Sequence, residues 1–198
     1  MKEPAEIIDF RVRPPVASFT RLDIFPKPEE TGSPYFKWHS ELPQSVRKRD
    51  MGLFLKELDE AGVVHSVMWG RRVSSNPAQS STNEDIGRIH ADHPGKFSAF
   101  GGVSLPDAGQ SIASSVAQVE DALITHKMKG ITVEPGTYPP LTTAEDRRLY
   151  PVYSRCQELG GILAMTMSRT RAPGANLIHA GVEGVDQVAR DFPGLNIV

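Results

Sequence analysis

Short apolar runs alternate with helical patterns along this chain, and few folds accommodate that rhythm. The runs are Ile7-Ile8-Asp9-Phe10-Arg11-Val12, residues 63–69, 97–103, 130–133 and 161–165, and Leu195-Asn196-Ile197-Val198. After the first, they recur about every 30 to 35 residues, the length of a βαβ unit. The segments between them carry apolar residues at helical spacing. Phe54, Leu55 and Leu58 share one face ahead of a capping Gly62, and Thr82 with Asp85 opens a stretch containing Ile86 and Ile89. Ile112, Val116, Val119 and Leu123 form the next stripe. Thr143 with Asp146 is expected to cap another, carrying Leu149, Val152, Cys156 and Leu159 and ending at Gly160, and Val185, Val188, Ala189 and Phe192 form the last. Strands alternating with helices imply a parallel sheet, either a barrel wall or an open doubly wound sheet. No G-x-G-x-x-G turn follows any strand, which disfavours a dinucleotide-binding sheet.

Two stretches depart from the rhythm. Residues 16–50 lack sustained periodicity and are rich in proline (Pro26, Pro28, Pro34, Pro43) and aromatics (Phe19, Phe25, Tyr35, Phe36, Trp38). In a barrel this long loop would rise from the C-terminal face, as a pocket wall or as packing against the barrel or a neighbouring subunit. The other is the end of the chain, which stops inside a strand-like run. A complete (β/α)₈ barrel has eight strands in typically about 250 residues. We therefore expect one barrel domain over residues 1–198 that lacks about two βα units and, if the chain ends at Val198, an exposed sheet edge that could aggregate or form a homo-oligomer.

Composition narrows the function classes. A formal charge of −2 argues against a general nucleic-acid binder. The single cysteine, Cys156, cannot form an intrachain disulfide, and its helical stripe makes it a buried structural thiol. The first residues lack the apolar core of a secretion signal, and no stretch is apolar enough to cross a bilayer, so no membrane role and a cytoplasmic location are expected.

The opening Ile7-Ile8-Asp9-Phe10-Arg11-Val12-Arg13-Pro14-Pro15 resembles the first strand of amidohydrolase-related proteins, which reads I-I-D-x-H-x-H followed by proline. The likeness continues through Leu58-Asp59-Glu60-Ala61-Gly62-Val63, His93-Pro94-Gly95-Lys96-Phe97, Lys129-Gly130-Ile131, Tyr150-Pro151-Val152-Tyr153 and Asp191-Phe192-Pro193-Gly194-Leu195. The resemblance implies a (β/α)₈ TIM barrel with hydrolase or decarboxylase chemistry, commonly using one divalent metal. It implies metal ligands at two strand-one histidines, a strand-five histidine and a strand-eight aspartate. Here Arg11 and Arg13 stand at the first two positions and Thr166 best matches the third, while the fourth would lie past Val198. Arginine has no available lone pair, so we expect no conventional metal site and no cofactor.

Residues two apart on a strand face the same way, so Arg11 and Arg13 could both enter the lumen and bind a carboxylate bidentately. Pairing with Asp9 or Glu134, or plain solvation, is the structural alternative. Glu134, ending the fourth strand, is the best acid–base candidate, equally suited to holding an arginine. Arg71 and Arg72 follow the second strand, and Arg72 is expected to add substrate-binding charge at the same rim. His65, His90, His93 and His126 lack metal-ligand spacing, whereas His39 and His179 lie in segments able to reach the mouth. The expected function is metal-independent hydrolysis of a small carboxylate-bearing molecule. A non-catalytic binding or assembly subunit and a decarboxylase are the alternatives.

Overall fold

The computed structural model describes residues 6–25, 42–106, 110–137, 142–167 and 176–198. Six strands, β1 (Ile7–Val12), β2 (Val63–Trp69), β3 (Phe97–Gly102), β4 (Gly130–Val133), β5 (Ile162–Met165) and β6 (Asn196–Ile197), pair in sequence order. Every pairing is parallel. Sequential order without reversal rules out a doubly wound sheet and gives the wall of a TIM barrel, open along β1 and β6.

The helices are α1 (Gln44–Lys48), α2 (Met51–Glu60), α3 (Asn83–Asp92), α4 (Ile112–Glu120), α5 (Tyr150–Glu158) and α6 (Val182–Asp191). They cover one face of the sheet. Strand residues pointing that way, including Met68, Ala99, Ile131, Val133, Leu163 and Met165, merge with Ile86, Val119, Val152 and Val188 into one core. The other face forms a separate small cluster of Val67, Trp69, Phe100 and Ala164, the floor of the lumen. Burial of alternate residues on opposite faces is what a parallel strand between helices and lumen requires.

Local chemistry sets the helix ends. Asp50, Thr82 and Ser111 cap α2, α3 and α4 by accepting the backbone N–H three residues on. Gly62 and Gly160 take the left-handed conformation that ends α2 and α5. The Thr143–Asp146 pair differs from expectation: Asp146 itself accepts from Arg148 N, capping the 3-10 turn Arg147–Leu149 that leads into α5. Cys156 is buried on α5, and burial pushes its thiol up to about 12, as expected of a structural cysteine.

Part of the 16–50 segment is ordered structure that periodicity could not reveal. Ala17–Arg21 is a 3-10 turn placing Phe19 and Leu22 in the core, and α1 is too short to show a helical repeat. Residues 26–41, with His39, lie outside the described residues. Among the described residues no helix is long and apolar enough to cross a membrane.

Candidate active site

The C-terminal strand ends carry an arginine-rich cluster above the lumen floor. Phe10 meets Trp69 and Phe100 edge-on, and Trp69 and Phe100 lie tilted to each other, with ring centroids 6.1–6.3 Å apart. Arg11 lies on this floor, its guanidinium carbon 4.9 Å from the centre of a Trp69 ring. Consecutive residues Phe10 and Arg11 can both meet Trp69 because the β1–β2 register shifts between Asp9 and Val12.

Glu134, one residue past β4, ties the cluster together. Its Oε1 accepts from Arg11 Nη2 at 3.4 Å and Arg13 Nη2 at 3.3 Å, and its Oε2 accepts from Arg71 Nε at 2.8 Å. Arg71 also donates to Asp23 at 3.0 Å, Arg11 to Thr166 Oγ1 at 3.2 Å, and Arg13 Nε to the Trp69 carbonyl at 3.3 Å. Arg13, Arg71 and Glu134 side chains are each 8% exposed, whereas Arg11 is 41% exposed and forms the accessible edge.

Three guanidinium groups against the carboxylates of Glu134 and Asp23 leave positive charge in excess among the described residues. Burial pushes Arg13 down to about 10, Arg71's charge adds to the effect, and Glu134 opposes it. Burial lowers Arg11 too, against the pull of Glu134. Arginine keeps its proton at neutral pH, so the described part of the cluster carries positive charge.

Of the residues expected here, Arg11, Arg13, Glu134 and Thr166 come together. Arg72 does not: Arg71 takes the inward place, because adjacent residues leave a strand end on opposite sides. Arg71 is possible here because two glycines let the chains approach. A Cβ on Gly102 would lie 2.7 Å from the Arg71 carbonyl carbon, and one on Gly70 2.5 Å from Gly102 N. Sequence reasoning missed Asp23, which lies in the aperiodic segment, and the stacking role of Trp69. A rule of alternation past the strand end could have chosen Arg71 over Arg72. His65 is spent on Gly95 O and Ser98, and His90 on Phe97 O. His179 packs over Gly136, two residues beyond Glu134.

The amidohydrolase family model matches residues 17–198. The chain belongs to the amidohydrolase family. The match starts after Arg13, so the arginine pair lies outside it. Among solved structures, an uncharacterized TIM-barrel protein from Bordetella bronchiseptica superposes with a TM-score of 0.81 at 26% identity, covering 98% of this chain and 66% of that one. A 4-oxalomesaconate hydratase from Rhodopseudomonas palustris gives 0.59 at 17% identity, over 97% and 61%. A dihydroxybenzoic acid decarboxylase from Polaromonas, with bound manganese and the inhibitor 2-nitroresorcinol, gives 0.57 at 14%, over 97% and 64%. This amidohydrolase chain thus spans less than two thirds of the length of these structures. No curated protein matches it.

A divalent metal, common in the family, does not fit the residues present. The positions that resemble the family's first three ligands hold Arg11, Arg13 and Thr166, and both arginines already donate to Glu134. Guanidinium groups offer no lone pair and repel a cation. Among the described residues no three His, Cys, Asp or Glu side chains gather.

Proposed function

We propose that this amidohydrolase-family chain binds a small carboxylate-bearing organic molecule at the Arg11–Arg13–Arg71 cluster and hydrolyses a C–O or C–N bond in it without a divalent metal. The observation that carries this is one buried carboxylate, Glu134, held by three guanidinium groups, with Arg11 at the open edge. An arginine fork matches a carboxylate bidentately, and Thr166 supplies a hydroxyl beside it.

The same geometry suggests how Glu134 serves as base. Both its oxygens are engaged in the free protein, Oε1 by the longer bonds. A substrate carboxylate that draws Arg11 and Arg13 onto itself releases Oε1, while Arg71 keeps Oε2 in place. Oε1 then takes a proton from water as the water oxygen bonds to the acyl carbon. The departing oxygen or nitrogen recovers that proton as its bond to carbon breaks.

Titration calorimetry with matched pairs of carboxylates and their neutral amides tests the binding. Arg11→Ala or Arg13→Ala should weaken the carboxylate about ten- to a hundredfold, each lost charged hydrogen bond contributing about 1.5–3 kcal/mol, and leave the amide unchanged. Intact carboxylate affinity in the double variant refutes it. The engagement of both Glu134 oxygens also favours a second reading, a non-catalytic binding subunit. Carboxylate binding without hydrolysis of carboxylate-bearing lactones, esters or amides would select that one.

A further inference from the structure

Arg71 and Arg72 are consecutive and part company. Arg71 enters the Glu134 cluster, while Arg72 lines a separate cavity of about 270 Å³ between the 3-10 turn Ala17–Arg21 and the loop from β2 to α3. Arg21 faces the same cavity, with Ser74, Ser80, Thr82 and Gln110 around it. Among the described residues no carboxylate lines it. Asp85, on the first turn of α3, is taken by Ser18 N and Arg88, and Glu84 lines a groove elsewhere with His126 and Lys127. Neither Arg21 nor Arg72 has a guanidinium partner among the described residues. Two arginines that share one cavity, with no acid among its described lining residues, raise the positive potential there and favour an anion.

The cavity is also tied to the candidate active site. Arg21 stands two residues before Asp23 and Arg72 one after Arg71, and Asp23 and Arg71 form a 3.0 Å ion pair. An anion bridging Arg21 and Arg72 would clamp the same two segments. Ser81, in the cavity wall, clasps Arg71 on both sides: Arg71 N donates to Ser81 Oγ at 2.9 Å, and Ser81 N donates to Arg71 O at 2.9 Å.

We infer that this cavity is a second anion site, built for a phosphate group carried by a small organic molecule, and that its occupant braces Arg71 against Glu134 from outside the lumen. Two guanidinium forks suit a phosphate dianion. The volume holds roughly nine water-sized atoms, so it takes a phosphate with a short organic tail. This inference stands apart from the proposed hydrolysis.

The test is calorimetry on the full chain at low salt, with inorganic phosphate and with glycerol 3-phosphate. Both should bind saturably, the ester more tightly. Arg21→Ala and Arg72→Ala should each weaken binding about tenfold, from loss of one charge-assisted contact, and Arg72→Lys by less. In hydrogen exchange, phosphate should slow the amides of Arg71 and Ser81 in the wild type and not in Arg72→Ala. Absence of saturable binding overturns the inference. So does binding lost in Arg11→Ala but kept in the Arg21→Ala/Arg72→Ala double variant, which places the ion on the lumen cluster instead. Binding without slowed exchange overturns the bracing.

Discussion

Arg71 reaches Glu134 across β3, the strand that separates their own, and makes the shortest contact of the cluster at 2.8 Å. The crossing is open because β3 ends in Gly101-Gly102, and a Cβ at Gly102 would press on the Arg71 and Arg72 backbone. Gly102→Ala should therefore destabilise the protein by about 1–3 kcal/mol through overpacking against backbone that cannot easily yield. Urea unfolding measures this. The variant should also bind carboxylates more weakly, since Arg71 is displaced. Unchanged stability would show that the two strand ends separate freely.

Glu134 is the only described carboxylate that touches all three arginines of the lumen cluster. Removing it strands several charges in a buried site. Glu134→Ala should cost about 3–5 kcal/mol, the usual penalty for breaking a buried ion pair from one side. Added chloride or sulfate should restore part of that loss, because either anion can take the vacated place. The gain should exceed the effect of the same salts on the wild type, where Glu134 already occupies that place. A variant as stable as the wild type would mean that the arginines simply swing out to solvent.

Much of the fold was legible in the sequence, for identifiable reasons. Strands β1 to β5 are short apolar runs set off by helical stripes, so their positions survive without tertiary information. Gly62 and Gly160 mark real helix ends because only the left-handed conformation closes them. The 3-10 turn Ala17–Arg21 was invisible, since Phe19 and Leu22 are buried by tertiary packing and follow no period. In the site, Glu134 was readable from its strand-end position, and Arg11, Arg13 and Thr166 from their match to the ligand positions of the family they resemble. Asp23 was not, because it meets Arg71 only through the folded loop, and choosing between Arg71 and Arg72 needed the side each takes past β2.

The loop before α5 predicts an acid-sensitive contribution to stability. Hydrogen bonds from Arg148, and secondarily from Thr142, hold the Asp146 carboxyl well below the usual carboxylate range against the opposing effect of burial. A folded-state pKa depressed below the unfolded value of about 3.9 gives stability that is present above that pH and lost as pH falls through and below it. Arg148 is exposed, so solvent screening limits the contribution to about 1 kcal/mol. Unfolding measured from pH 6 down to pH 2 should show that loss below pH 4 in the wild type. Asp146→Asn keeps a capping side chain but should flatten the dependence. An identical pH profile in the variant would assign the acid sensitivity to other carboxylates.

The strand-end arginines also make a prediction about metal. Protein purified without chelator should carry far less than about one zinc or manganese per chain, because the positions resembling the family's histidines present positive charge and no lone pair. The converse substitution makes the expectation sharper. Arg11→His, Arg13→His and Thr166→His together place three imidazoles where Nη2 of Arg11 now spans Glu134 and Thr166, and remove two of the three cations that would repel the ion. That triple variant should take up zinc measurably in equilibrium dialysis. Its affinity should fall as pH drops below the ordinary imidazole range of about 6.5, since protonated histidine cannot ligate. Elemental analysis finding about one metal in the wild type would sink the idea and move the metal to residues other than the strand-end cluster. A triple variant that folds, as judged by circular dichroism, yet binds no more zinc than the wild type would show that these strand ends do not converge closely enough for three imidazoles to share an ion.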